Sequence, residues 1–176
     1  MAPGDRVTQG GMTRRDIASA GREKIAHQGT FNANPLSAAA AIATLSIVEK
    51  EDACATAEGT AEQLRAGLRK ILVEEGIPWG VYGEASSFLI FQNPKGIAVD
   101  PAAFDPLALK FKGLKGVRDA NLSHRLRISM IANGADIMGA PGGLVSATHT
   151  AEDVARTLDA FRTSVRWMKA EGDIRG

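Results

Sequence analysis

The sequence predicts an α+β fold in which several helices pack on a small sheet. Three observations point there: a helix-period apolar stripe from Ala57 to Leu72, a second from Val154 to Met168, and a short apolar run at Phe88-Leu-Ile-Phe91 between turn residues. Read coarsely, the chain runs helix, helix, strand, helix or loop, an ambiguous element, strand, helix, an α+β layer of helices on a sheet. Its 176 residues suffice for one domain with a hydrophobic core and a smaller appendage.

Residues 1–28 are weakly patterned. Gly10, Gly11 and Gly21 punctuate them, and the charges of Arg14, Arg15, Asp16, Arg22, Glu23 and Lys24 favour no face. A loop with one short helix around Thr13–Ala20 is expected. So little core material at the start suggests that further chain lies upstream. From Asn34 the signals sharpen: Asn34-Pro35 is a helix start, an Asn cap followed by proline where its missing N–H costs nothing. Leu36 to Val48 follows, nearly all alanine and aliphatic. A helix apolar on most sides is buried on most sides, and this chain offers few neighbours to cover it, so a partner surface is expected.

The next helix carries Ala57, Ala61, Leu64, Leu68, Ile71 and Leu72 on one stripe, with Glu62, Arg65, Arg69 and Lys70 assigned to the other face. Gly76 and Pro78 end it. Phe88–Phe91 reads as a buried strand. Residues 94–120 hold three prolines, three glycines and the lysines Lys110, Lys112 and Lys115, which predicts a solvated loop with a short helix. Arg125 to Ile131 is ambiguous: Leu126, Ile128 and Met130 alternate as in a strand, while Leu122, Leu126 and Met130 fit a helix face. Asn133-Gly134 suits a helix C-cap or a hairpin turn equally well. Gly143-Leu-Val-Ser-Ala147 reads as a short strand. Thr150-Ala-Glu-Asp153 then opens the last helix as a capping box with acidic residues at the positive end of the dipole.

Composition excludes several classes. A net charge of +1 argues against nucleic acid or an anionic membrane, and 5% aromatics are too few for a base-stacking platform. The single cysteine, Cys54, rules out a disulfide framework and a cysteine zinc site, and burial habit reads it as an inert small helix residue. Met1 to Gly11 lacks the apolar run of a signal peptide and no window could span a bilayer, so the cytoplasm is the expected location. His27, His124 and His149 are scattered with no ligand spacing, and no Gly-x-Ser-x-Gly elbow is present. Glu51-Asp52 and Glu74-Glu75 read as solvated pairs.

One segment offers chemistry. His27-Gln-Gly-Thr-Phe-Asn-Ala-Asn-Pro35 places Gly29 and Thr30 just before a long helix. Backbone N–H groups near Gly29, the Thr30 hydroxyl and the positive helix end together suit a phosphate dianion. A plain turn that caps a helix is the other reading of the same residues.

The run His27-Gln-Gly-Thr-Phe-Asn-Ala-Asn-Pro-Leu-Ser-Ala-Ala-Ala40 resembles the signature that opens the long connecting helix of class III aminotransferases, in particular the glutamate-1-semialdehyde aminomutase branch. Gly142-Gly-Leu-Val-Ser-Ala-Thr-His-Thr-Ala-Glu-Asp153 resembles that family's C-terminal strand and the start of its last helix, in the right order. The likeness runs from about Gly10 to Lys169. It implies the C-terminal small domain plus connecting long helix of a fold-type I pyridoxal-phosphate (PLP) transferase. Residues 1–35 would be a remnant of the large domain and phosphate loop, 36–76 the connecting helices and 77–176 the α+β small domain. It also implies helix at 122–133.

By the same resemblance Gly29 and Thr30 match the pair that contacts the PLP phosphate of the neighbouring subunit across a dimer interface. The lysine that holds PLP, the aspartate at its pyridine nitrogen and the glycine-rich phosphate turn would lie upstream. Lys24, Lys50, Lys70, Lys95, Lys110, Lys112, Lys115 and Lys169 match none of that context, so no residue is assigned as catalytic. The implied activity is amino-group transfer to a keto acid or semialdehyde, by a homodimer or with a large-domain partner, on a small amino-acid or keto-acid substrate. The chain alone is expected to be inactive. The alternative is a non-enzymatic interaction module acting through helix 36–48.

Overall fold

The computed structural model describes residues 29, 30, 32, 34–115 and 119–174. The expected short helix at Thr13–Ala20, with Lys24 and His27, lies outside the described residues. The chain divides into two compact units, Met1–Ile47 and Val48–Gly176.

Among the described residues the first helix is α1, Pro35–Lys50. Asn34 starts it as the sequence predicts: its Oδ1 accepts from the N–H of Leu36 (2.9 Å) and of Ser37 (3.3 Å). The expectation of a buried helix is not met within this chain. No residue of α1 is buried, and Leu36, Ile42 and Leu45 stand 79%, 67% and 67% exposed.

The second unit opens with helix α2, Ala53–Glu74, followed by strands β1, Gly80–Tyr82, and β2, Ser87–Phe91. All six apolar positions assigned to the α2 stripe are buried. Arg65 is buried as well, which corrects its assignment to the solvent face. Its helical angle explains this: position 65 lies four residues after Ala61 and three before Leu68, at the margin of the stripe itself. Cys54 is in α2 but exposed, against its burial habit, because it precedes the first buried turn at Ala57.

Between β2 and the next long helix, Asp100 and Asp105 each precede a proline and accept from the N–H two residues on, at Ala102 and Leu107, both 2.9 Å. These caps start 3₁₀ turns at Pro101–Ala103 and Pro106–Leu109, and a short helix α3, Lys110–Lys115, follows. The ambiguous segment is helix α4, Ala120–Ala132. Gly134, at φ 90°, supplies the left-handed residue that ends it, and the N–H of Ala135 reaches the carbonyl of Met130 at 3.0 Å. The pair is therefore a helix stop and not a hairpin turn.

Strand β3, Gly142–Leu144, is shorter than predicted, although Val145 still donates to Ser86 O at 2.8 Å. Helix α5, Ala151–Ala170, starts at Thr150 with the expected capping box.

The sheet is antiparallel in order β1-β2-β3, with Val81 opposite Ile90 and Phe88 opposite Gly143. β1 escaped the sequence reading; three residues are too few to show a period, and only pairing with β2 makes them a strand. Strand alternation sends Val81, Phe88 and Ile90 into the core, where they join Leu64, Leu68 and Leu72 of α2, Leu126 and Met130 of α4, and Phe161 and Val165 of α5. α2 packs on β1, β2 and α5, and α4 packs on α5. On the opposite face Phe104 stacks on Phe91 at 5.4 Å and covers Gly80, where a Cβ would sit 2.3 Å from the Phe104 ring.

Candidate functional site

Gly29 and Thr30 occupy an exposed turn before α1, in which the N–H of Asn32 donates to Gly29 O at 3.1 Å. The start of α1 shapes what this turn can do. Pro35 has no N–H, those of Leu36 and Ser37 go to Asn34 Oδ1, and that of Ala38 goes to Asn34 O at 3.0 Å. The helix end thus contributes the field of its dipole but few free donors, so an anion here would rely on the turn at Gly29 and Thr30.

The described lysines offer no anchor for an aldehyde. Lys50, Lys70, Lys95, Lys110 and Lys112 are exposed, and Lys169 Nζ is engaged with Glu75 O at 2.6 Å. None is a buried amine of the kind that holds an aldehyde cofactor.

One other cluster brings polar side chains together ahead of α5. Ser146 Oγ lies 3.0 Å from His149 Nδ1 and 2.8 Å from Thr148 Oγ1. The same Nδ1 accepts the main-chain N–H of Ser146 at 3.1 Å, so the imidazole closes a turn ahead of α5. Beside it Asp153 is held below the ordinary carboxylate range by bonds from the Thr150 N–H and then its hydroxyl. Among the described residues no group of three or more His, Cys, Asp or Glu could hold a metal ion, and no helix is long and apolar enough to cross a membrane.

The residue that sequence reasoning missed is Arg65. Its Nη1 donates to the carbonyls of Ala85 (3.0 Å) and Ser87 (2.6 Å), while Nε and Nη2 engage Glu62 Oε2 at 2.9 and 2.7 Å. It ties the β1–β2 hairpin to α2. The bond from Arg65 is also the first cause that lowers the Glu62 pKa from its ordinary value.

No family model matches the sequence. A glutamate-1-semialdehyde 2,1-aminomutase of Methanosarcina acetivorans is 33% identical over 135 residues, covering 76% of this chain and 29% of the relative. An acetylornithine aminotransferase of Bifidobacterium longum is 33% identical over 132 residues, 75% of this chain and 25% of the relative. A solved transaminase with PLP bound matches at TM-score 0.65 and 27% identity, over 85% of this chain and 31% of that one. The chain therefore spans between a quarter and a third of the length of the proteins it matches. In sequence and in fold, it belongs to the PLP-dependent aminotransferase and aminomutase family, of whose fold it carries a C-terminal portion.

Proposed function

We propose that the chain is the C-terminal part of a class III amino-transfer protein, transaminase or mutase, and that its site contribution is a contact from Gly29 and Thr30 to the PLP phosphate of a neighbouring subunit. The observation that supports this most is the exposed Gly29–Thr30 turn placed directly before an Asn34-capped helix. When bound, PLP supplies an electron sink at the substrate amine carbon. This chain's part is to hold and orient: the Thr30 hydroxyl donates to a phosphate oxygen, and α1 seats against the large-domain surface that carries the lysine. Residues 1–35 then belong to the phosphate-loop region, 36–76 to the connecting helices and 77–176 to the small domain. Dimerisation, a cytoplasmic location and a small amino-acid or keto-acid substrate belong to the same proposal.

The test is PLP titration followed by borohydride reduction and intact-mass analysis. The chain alone is expected to give no single stoichiometric adduct and no activity. Mixed with a separately made lysine-bearing N-terminal portion of the Methanosarcina acetivorans aminomutase, it is expected to restore PLP binding. Thr30→Ala should weaken that binding by about tenfold or more, the effect of one hydrogen bond to a charged group. A stoichiometric adduct on one lysine of this chain alone would overturn the reading. The exposure of α1 favours a second reading, a non-enzymatic module that binds a partner through this helix. Restored activity in the mixture decides against it.

A further inference from the structure

Gly29 and Asn32 meet at short range in the turn ahead of α1. The N–H of Asn32 donates to Gly29 O at 3.1 Å, and that bond closes the turn around Thr30. The Asn32 side chain then folds back over the glycine. A Cβ placed on Gly29 would stand 2.7 Å from Asn32 Oδ1, 3.0 Å from its Cγ and 3.2 Å from its Nδ2. Such distances lie well inside van der Waals contact, so the carboxamide fills the space that a side chain at position 29 would need. Gly29, Thr30 and Asn32 are all exposed, and all belong to the Met1–Ile47 unit.

Exposure sets this arrangement apart from core packing: a carboxamide laid on a solvent-facing glycine adds little to the stability of the fold. Its effect is on conformation. Glycine gives the backbone its widest freedom, so the Gly29–Thr30 peptide is the softest part of the turn. A planar group resting on the Gly29 Cα narrows that freedom. Asn34 cannot do this, because its Oδ1 is engaged by the N–H groups of Leu36 and Ser37. Placement matters at this point, since an error of about 1 Å in a contacting group is enough to lose most of its effect.

We infer that Asn32 is a positioning residue for the phosphate contact, an inference that rests on the reading of Gly29 and Thr30 proposed above. Asn32 acts through Gly29: its carboxamide holds the glycine backbone in the conformation from which Thr30 meets the phosphate oxygen. The same contact gives position 29 a reason to be glycine, because an alanine there displaces the carboxamide and frees the turn.

The whole chain is mixed with the lysine-bearing N-terminal portion of the Methanosarcina acetivorans aminomutase, and binding of PLP and of pyridoxal, which lacks the phosphate, is followed by visible absorbance. Far-UV circular dichroism confirms that each variant is folded. Asn32→Ala and Gly29→Ala should each raise the PLP dissociation constant about fivefold and leave that of pyridoxal unchanged. The double variant should bind PLP no worse than either single one, because both substitutions remove the same support. In the unmixed wild-type chain, a nuclear Overhauser contact between the Asn32 side-chain amide and the Gly29 α protons is expected. Absence of that contact, losses that add in the double variant, or an equal loss for pyridoxal would each overturn the inference. Thr30→Ala separates the two levels. If it weakens PLP binding while Asn32→Ala stays within about twofold of wild type, the inference alone fails. If Thr30→Ala leaves PLP binding unchanged, the reading of the turn fails and the inference falls with it.

Discussion

Replacing Arg65 by methionine removes a buried guanidinium while keeping most of its apolar stem. The side chain is 8% exposed, and it gives up bonds to the carbonyls of Ala85 and Ser87. A bond from a charged donor is worth about 1.5–3 kcal/mol, but both carbonyls lie near solvent and water recovers part of that. The pair with Glu62 adds little, because the Glu62 side chain is 57% exposed and screened. The net cost is about 2–3 kcal/mol, which at a urea m-value of about 1.5–2 kcal/mol/M moves the unfolding midpoint down by about 1–2 M. Fluorescence of the buried Trp79 and far-UV circular dichroism would follow the transition. Arg69→Met, whose side chain is 32% exposed and bonded at 3.3 Å, is the control and should cost no more than about 0.5 kcal/mol. If Arg65→Met lies within about 0.5 kcal/mol of wild type, or if Arg69→Met costs as much, the clamp argument is refuted.

The same pair gives a pH test with a definite sign. The folded-state pKa of Glu62 is below its ordinary 4.5, with the Arg65 bond as the first cause. Its stabilisation is therefore fully present above pH 4.5 and is lost as pH falls through the lowered folded value. The gap between wild type and Arg65→Met should narrow in that acid window and stay constant above it.

Gly134→Val should destabilise by about 1–2 kcal/mol, and Gly134→Asn by less, because the cost is backbone strain at positive φ in open space. Equal costs in urea melts would mean that side-chain packing, not φ, decides the position. Thr150→Ala removes the acceptor of the Asp153 N–H (3.2 Å) and should cost about 1 kcal/mol, with amide exchange rising first in the opening turn of α5. Leu68→Ala, at a site 1% exposed between α2 and the sheet, should cost about 3–5 kcal/mol; a cost under about 1 kcal/mol would mean that the core is not packed there as described.

The features legible in the sequence share one property: their partners lie within a few residues. Asn34 and Thr150 both bond the backbone two or three positions away, so their residue types are enough to mark where a helix begins. The stripe from Ala57 to Leu72 was readable for a related reason, because a helix maps spacing onto a face without reference to its neighbours. The Gly29–Thr30 segment was also visible from its place ahead of the cap.

By itself, then, the sequence determined the α+β class, the caps at Asn34 and Thr150, the long helices outside the ambiguous segment and the family likeness of residues 27–40 and 142–153. Tertiary structure decided the rest. β1 exists because β2 pairs with it, and Arg65 is buried because the hairpin carbonyls of Ala85 and Ser87 lie twenty and twenty-two residues away in sequence but against α2 in space. α4 took the helical option because Leu126 and Met130 could then share a core with Phe161 and Val165 of α5. In each case the deciding term is burial or hydrogen bonding with a distant partner, and local spacing carries no information about which distant partner arrives.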